Sequence, residues 1–384
     1  LSLLFKGYPA QAKASRSGHI DQGWLAREEG AGSSSSFPSS DPNTCPHANE
    51  RQGWNPAKPQ FYAKHRVDLR IITIPGKLQI FMNRLSKNKR ELILSSLVEG
   101  MSIRAASRVC DVSKNTVLKL LSDAGSLCQD LHNSLVKNLR CTRIQCDEIW
   151  SFVGMKAKNV PPDRKSDAEI GDIWTWTALD ADTKLIVSYL VGHRDVPCAH
   201  AFMNDVASRV SNRIQLTTDG FKAYLEAVEE AFGHDVDYAM LVKLYGEEEK
   251  KEASGYKHVR CTGADKRSVA GSPSSEYIST SYVERQNLTM RMCIRRFSRH
   301  TNAFSKKLLN HKHAVALHFM NYNFCRIHKS LGVTPAMEAG VASGPWSIGD
   351  IVDRLIRRED EVEARLGPRT KRSSKRPTTI DRGR

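Results

Sequence analysis

The segment Arg143–Val153 sets two adjacent carboxylates, Asp147 and Glu148, inside a strand pattern otherwise rich in Ile, Trp, Phe and Val. Burying a charge in such a run is costly unless something compensates it, so Asp147 either reaches a polar site or is a surface charge on an edge strand. The surrounding pattern requires a sheet. Gly171–Leu179 and Lys184–Val191 form a predicted hairpin across Asp180–Thr183. A helix over Ala199–Val210, a strand over Arg213–Thr218, an amphipathic helix over Phe221–Phe232 and a strand over Asp237–Leu244 follow. Gly246–Ile278 is polar and punctuated by Gly and Ser, which predicts an insertion or flexible loop. Long helices are expected from about Ser281 to Ser298 and from about Ser305 to Phe324. The order β-β-β-α-β-α-β-(insertion)-α is that of an RNase H-like α/β fold, a mixed five-stranded sheet with helices.

Ahead of the sheet the period is helical. Leu92, Ile93, Leu97 and Val98 recur at helix spacing, and Gly100 stops the run. Ser102 and Ser113 are placed to cap two further helices, Ile103–Val109 and one containing Val117, Leu120 and Leu121. Two short capped helices joined by a tight turn make a helix-turn-helix pattern, whose second helix opens Lys114-Asn115-Thr116, residue types suited to base edges and phosphates. A plain three-helix bundle would show the same apolar spacing.

The first 80 or so residues look different. Pro38, Pro42, Pro46, Pro56, Pro59 and the run Ser33–Ser36 interrupt any period, which predicts disorder. Met82 stands directly before the patterned segment, so the functional polypeptide is expected to begin there. The expected layout is a disordered extension (1–81), a helix-turn-helix domain (82–140), a catalytic domain (141–340, with the insertion near 246–278) and a C-terminal region with a basic tail (341–384). Cys45 and His47 could form half a zinc site, but no second pair at ligand spacing follows.

Composition narrows the partner. The formal net charge is +16, an excess that points to a polyanion such as nucleic acid. Nine cysteines lie scattered without a Cys-x-x-Cys pair, the usage of reduced thiols in a cytoplasmic protein. No uninterrupted apolar stretch approaches the ~18 residues of a membrane helix, and Leu1–Phe5 is too short for a secretory core, so neither membrane nor export is expected.

Three acids form the candidate site. Asp147 lies mid-strand, Asp219 ends the fourth strand before Gly220 and a helix, and Glu284 sits in the first turn of the long helix. In the expected fold the first and fourth strands are parallel neighbours, which brings Asp147 and Asp219 together, and ligands collect at the carboxyl ends of such strands. Crowded carboxylates repel, and hard divalent cations, Mg²⁺ or Mn²⁺, offset that repulsion. Two ions per site would suit in-line phosphoryl displacement, and no persuasive Ser or Cys nucleophile motif competes. Blander roles exist. Glu148 is a rival ligand, Asp219-Gly220 could be an ordinary turn, and Ser281-x-x-Glu284 fits a capping box. Asn287, Arg291 and Arg295 are expected on the Glu284 side of the helix, with Arg285, Arg296 and Arg299 widening a basic surface for phosphates. His311, His313 and His318 invite a metal reading, but only His311 and His318 share a helical face, so surface or DNA-facing roles are expected.

These motifs together resemble the DDE-type insertion-sequence transposases of bacteria, close to the insertion-sequence-one-like group. The resemblance is carried by Met82–Ser86, Leu97–Arg104, Ile144–Phe152, Trp174–Trp176, Gln215–Gly220, Tyr282–Asn287, Asn323–His328 and Thr334–Ala336. It spans Met82 to about Asp350. It implies Asp147, Asp219 and Glu284 as the metal-binding catalytic triad, and an N-terminal domain that recognises terminal inverted repeats. It further implies DNA cleavage, transfer of the 3′ ends to target DNA, and a homo-oligomer on DNA in the bacterial cytoplasm, associated with the nucleoid. Two departures stand out. Members of this group often carry His after the Asp-Gly, where this chain has Phe221, and no counterpart of the Cys-based zinc finger of some relatives is evident. The competing readings are a catalytically silent helix-turn-helix repressor and an RNase H-like nuclease that cuts without joining.

Overall fold

Residues 84–245, 261–298 and 301–366 are described in the computed structural model, all within the unit Gln79–Arg384. The proline-rich extension, Met82, the Cys45/His47 pair, Arg299 and the basic tail lie outside the described residues. Three helices open the unit: α1 (Lys87–Val98), α2 (Ile103–Val109) and α3 (Lys114–Leu135). Each starts at a serine whose hydroxyl accepts a backbone N–H three residues on: Ser86 from Lys89 (3.4 Å), Ser102 from Ala105 (3.1 Å) and Ser113 from Thr116 (3.1 Å). Gly100 at φ +84° turns the chain between α1 and α2.

Six strands follow: β1 (Arg143–Val153), β2 (Gly171–Asp180), β3 (Ile186–Gly192), then α4 (Val196–Arg209), β4 (Ile214–Asp219), α5 (Ala223–Phe232), β5 (Val236–Tyr245) and β6 (Cys261–Ala270). The sheet order is β3-β2-β1-β4-β5-β6. β1 pairs antiparallel with β2 and parallel with β4, and β4 pairs parallel with β5. This mixed α/β arrangement is compatible with an RNase H-like core. The sixth strand corrects the five-stranded expectation. β6 lies within the segment predicted as a loop and pairs antiparallel with β5. Its residues are almost all exposed, so it has no apolar face to produce a strand period.

After β6 come α6 (Ser281–Cys293), α7 (Leu308–Met320), the short α8 (Pro335–Glu338) and α9 (Ile348–Leu366). Helix α6 is shorter than predicted. Ile294 leaves helical geometry (φ −108°, ψ 103°), and Arg295–Phe297 form a single tighter turn that sends Ile294 and Phe297 into the core. Arg295 therefore lies past the helix end rather than on the Glu284 stripe. Arg296 turns inward, donating to Ser305 Oγ at 2.8 Å, instead of widening a basic surface.

Side chains alternate along β1, and so do its two faces. Ile144 and Cys146 pack with Trp176, Phe202, Leu216 and Tyr224 in the α4/α5 layer. Ile149 and Val153 pack with Val283, Met290, Val315 and Phe319 in the α6/α7 layer. Helix α7 also meets α3. A Cβ on Gly125 would stand 2.4 Å from His313 Cβ, so glycine permits that close approach. This enclosure overturns the surface expectation for the histidines: His311, His313 and His318 are all buried. His311 bonds Ser151 and Ser305, and His313 bonds Ser122. Helix α9 returns to α1 through a two-pronged Arg90–Glu359 pair at 3.0 Å and buries Ile351, Val352 and Leu355. Among the described residues no helix is long and apolar enough to cross a membrane.

Candidate active site

The parallel register of β1 on β4 sets Gln145 opposite Thr217. Two residues further along each strand stand Asp147 and Asp219, the latter the last residue of β4. Asp219 Oδ1 accepts the Phe221 N–H at 3.0 Å, fixing the carboxylate in the turn that leads to α5. One carboxylate oxygen from each of Asp147, Glu148 and Asp219 lies within 4.8 Å of the others. These acids share a cleft of about 960 Å³ with Arg194, Phe221, Lys243, Glu284 and Arg291.

The two adjacent acids of β1 are held differently. Asp147 faces α6 and accepts from Asn287 Nδ2 at 2.8 Å. Burial, reinforced by the charges of Asp219 and Glu284, pushes its carboxyl up to about 6 despite the Asn287 bond. Glu148 faces the α4/α5 layer, almost fully buried, and accepts from the Tyr224 hydroxyl and from Arg194 Nε at 3.0 Å. Burial is again the main cause, with Asp219 second, of its rise to about 7, which Tyr224 and Arg194 oppose. Arg194 spans the cluster. Its Nη2 lies 3.1 Å from Asp219 Oδ2, and its guanidinium stands 3.9 Å from the Phe221 ring centroid.

Glu284 lines the same cleft but is outside the three-acid cluster. Its carboxylate meets Lys243 Nζ of β5 at 2.6 Å and accepts from the Thr280 hydroxyl. The capping box anticipated at Ser281 does not form, because α6 starts one residue earlier, at an N-cap of Thr280 without a side-chain cap bond. Gln145 supplies the cap instead. Its Oε1 accepts the N–H groups of Tyr282 (2.9 Å) and Val283 (3.2 Å), tying the first turn of α6 to β1.

The sequence pattern points to Asp147, Asp219 and Glu284, with Glu148 as a rival ligand, and does not single out Gln145, Arg194, Tyr224 or Lys243 as site residues. Their partners lie on other elements, so no local spacing signals them, although a polar Gln145 in the β1 pattern was a hint. Of the expected DNA contacts, Arg291 lines the cleft and Arg295 is exposed beyond α6. Lys114 and Asn115 are exposed at the start of α3, while the Thr116 hydroxyl pairs with Ser113 at 2.9 Å.

The donor set fits a hard divalent cation: three converging carboxylates, two of them pushed up by burial and mutual repulsion. Beside them Asn287 Oδ1 is a buried acceptor without a hydrogen-bond partner.

No family model matches the chain, and no curated protein matches it. Among solved structures it is similar to a piggyBac transposase synaptic complex with hairpin DNA, at TM-score 0.31 and 12% identity over 74% of this chain and 73% of that one. It is also similar to the Mos1 Strand Transfer Complex (TM-score 0.25, 9% identity, 77% and 84% covered). A pre-cleavage Mos1 transpososome gives TM-score 0.21 and 8% identity over 77% and 85%. Likenesses this loose assign neither a fold nor an activity.

Proposed function

We propose that this chain is a DDE-type transposase, of the insertion-sequence-one-like kind, that cleaves the ends of its element and joins them to target DNA. The observation that carries this reading is the convergence of Asp147 and Asp219 from adjacent parallel strands, with Glu284 lining the same cleft. Asp147 and Asp219, with Glu284 completing the set, would hold two Mg²⁺ or Mn²⁺ ions. Such ions polarise a phosphoryl oxygen and lower the pKa of a coordinated water.

In the first reaction a water oxygen bonds to phosphorus at the element end, the P–O3′ bond breaks, and a 3′-hydroxyl is released. In the second that hydroxyl attacks a target phosphodiester, and the target's own 3′-oxygen leaves. Asn287 holds Asp147 in place, and Gln145 fixes the helix that carries Glu284. Arg291, at the cleft, and Arg295 would contact phosphates. Lys114, Asn115 and Thr116 would meet the terminal repeat as the leading residues of a helix-turn-helix recognition helix in an N-terminal DNA-binding domain (82–140). A homo-oligomer would pair two ends, in a bacterial cytoplasm, associated with the nucleoid.

Arg194, already paired with Glu148 and Asp219, favours as a second reading a silent DNA-binding repressor, since a cation occupies part of the carboxylate set. One assay separates the readings: labelled duplex carrying the element ends, Mg²⁺, and scoring of both cleavage and joining. Transposase activity gives both products, and Asp147→Asn abolishes both. Binding without cleavage supports the repressor, and cleavage without joining supports a nuclease.

A further inference from the structure

Beyond Gln145 the register of β1 with β4 ends, while β1 stays paired with β2 as far as Val153. On the face that carries Glu148, the next two residues of that extension are Trp150 and Phe152. Trp150 lies opposite Trp174 of β2. The Phe152 ring is 5.8 Å from Trp150 and 4.6 Å from Phe304, which arrives on the loop before α7. All four rings are half-buried rather than sealed in a core.

Cations flank them. Lys156 Nζ stands 5.8 Å from the Trp150 ring centroid and 6.0 Å from that of Phe152. Lys306 Nζ is 3.3 Å from Phe304, and both lysines are exposed. At the other end the Arg194 guanidinium lies 5.4 Å from Trp174 while its nitrogens reach Glu148 and Asp219. The β1 rings therefore lead away from the carboxylate cluster, about 7 Å for each pair of residues, with Trp174 beside them on β2 and Phe304 at the far end. Half-exposed aromatic faces in a row, edged by flexible ammonium groups, match the alternating π-faces and phosphates of a single DNA strand. A duplex offers phosphates but no free base faces.

We infer that Trp150, Phe152, Phe304 and Trp174 form a stacking platform for unpaired nucleotides of DNA leading into the carboxylate cleft, with Lys156 and Lys306 on the phosphates. This deepens the proposed function and rests on its reading of the cleft as a DNA-processing site.

The test measures binding in EDTA, so that it does not depend on cleavage. Fluorescence anisotropy compares a labelled oligothymidylate with a blunt duplex of equal length. Trp150→Ala and Phe304→Ala should each weaken single-strand binding about tenfold while duplex affinity stays within about twofold. Trp150→Tyr should keep most of the affinity. Lys156→Ala, at an exposed position, should also weaken the single-strand complex and flatten its salt dependence. Equal losses for both DNAs, or unchanged single-strand affinity in Trp150→Ala and Lys156→Ala, overturn the platform. Discrimination by these variants in a protein that cleaves no element ends would uphold the platform and count against the transposase reading alone.

Discussion

Asp147 and Glu148 are neighbours on one strand, yet they belong to two chemically different layers. On the α6 side Asp147 meets an amide, the Glu284 helix and an open cleft. On the α4/α5 side Glu148 is enclosed by a phenol and a guanidinium, and only about 1% of its side chain is exposed. Burial raises the proton affinity of both carboxyls, but of the two only Glu148 is in direct contact with a cation, the Arg194 guanidinium that it shares with Asp219. The difference teaches that converging acids need not share a job. Asp147, which opens onto the cleft, is the one of this pair suited to an external metal, and Glu148, enclosed by Tyr224 and Arg194, braces the wall behind it.

The largest expected effect separates the two acids. Asp147→Asn should lower Mg²⁺-dependent cleavage of element ends by about 10³-fold or more, the scale of removing metal-assisted charge stabilisation. Thermal unfolding without metal should show the variant at least as stable as the parent at pH 8, since a repelled buried carboxylate is gone. Glu148→Ala should show the reverse balance: a loss of about 2 kcal/mol in denaturant unfolding, because Tyr224 and Arg194 lose a buried partner. Equal stability losses from both substitutions would erase the distinction.

Proton linkage sharpens it. Both folded-state values, about 6 for Asp147 and about 7 for Glu148, lie above the ordinary carboxyl range. The folded protein therefore binds more protons than the unfolded chain across that interval. The stability these groups contribute is fully present below about pH 4 and is lost as pH rises through about 6 and 7. Melting curves in EDTA between pH 4 and 8 should show that decline, and added Mg²⁺ should reverse it at the upper end. Asp147→Asn should remove the lower part of the decline.

Smaller effects follow on each side of the strand. Gln145→Ala leaves the Tyr282 and Val283 N–H groups without their acceptor and should cost about 2 kcal/mol of unfolding free energy. Because Glu284 rides on that turn, cleavage should fall with it. Tyr224→Phe removes one hydrogen bond to Glu148, for about 1 kcal/mol, and should leave cleavage rates nearly unchanged. A large activity loss in Tyr224→Phe would place Glu148 in the chemistry after all.

Much of the sheet was legible because its strands are half-buried and keep their period. Asp147 stood out as a charge inside such a run, and Asp219 as the acid at a strand end, so the meeting of these two followed from strand order. What stayed hidden has physical causes. β6 buries almost nothing, so hydrophobic patterning could not reveal it. The end of α6 was masked because Ile294 and Phe297 continue an acceptable helical spacing while packing from a turn. The histidines of α7 looked like surface residues because polar type suggests exposure, whereas α7 is enclosed by α3 and the sheet layer. Arg194 and Tyr224 reach Glu148 from distant points in the chain, which no window of sequence can show.

The Gln145 cap has a mechanical consequence. One strand holds Asp147 and, two residues earlier on the same face, the anchor of the helix that carries Glu284. A slip of β1 by one residue would not merely misplace an acid. It would carry Asp147 away from Asn287 and release α6 in the same movement. The site thus takes its tolerance from strand pairing rather than from loop conformation, and it should fail all at once rather than loosen by degrees.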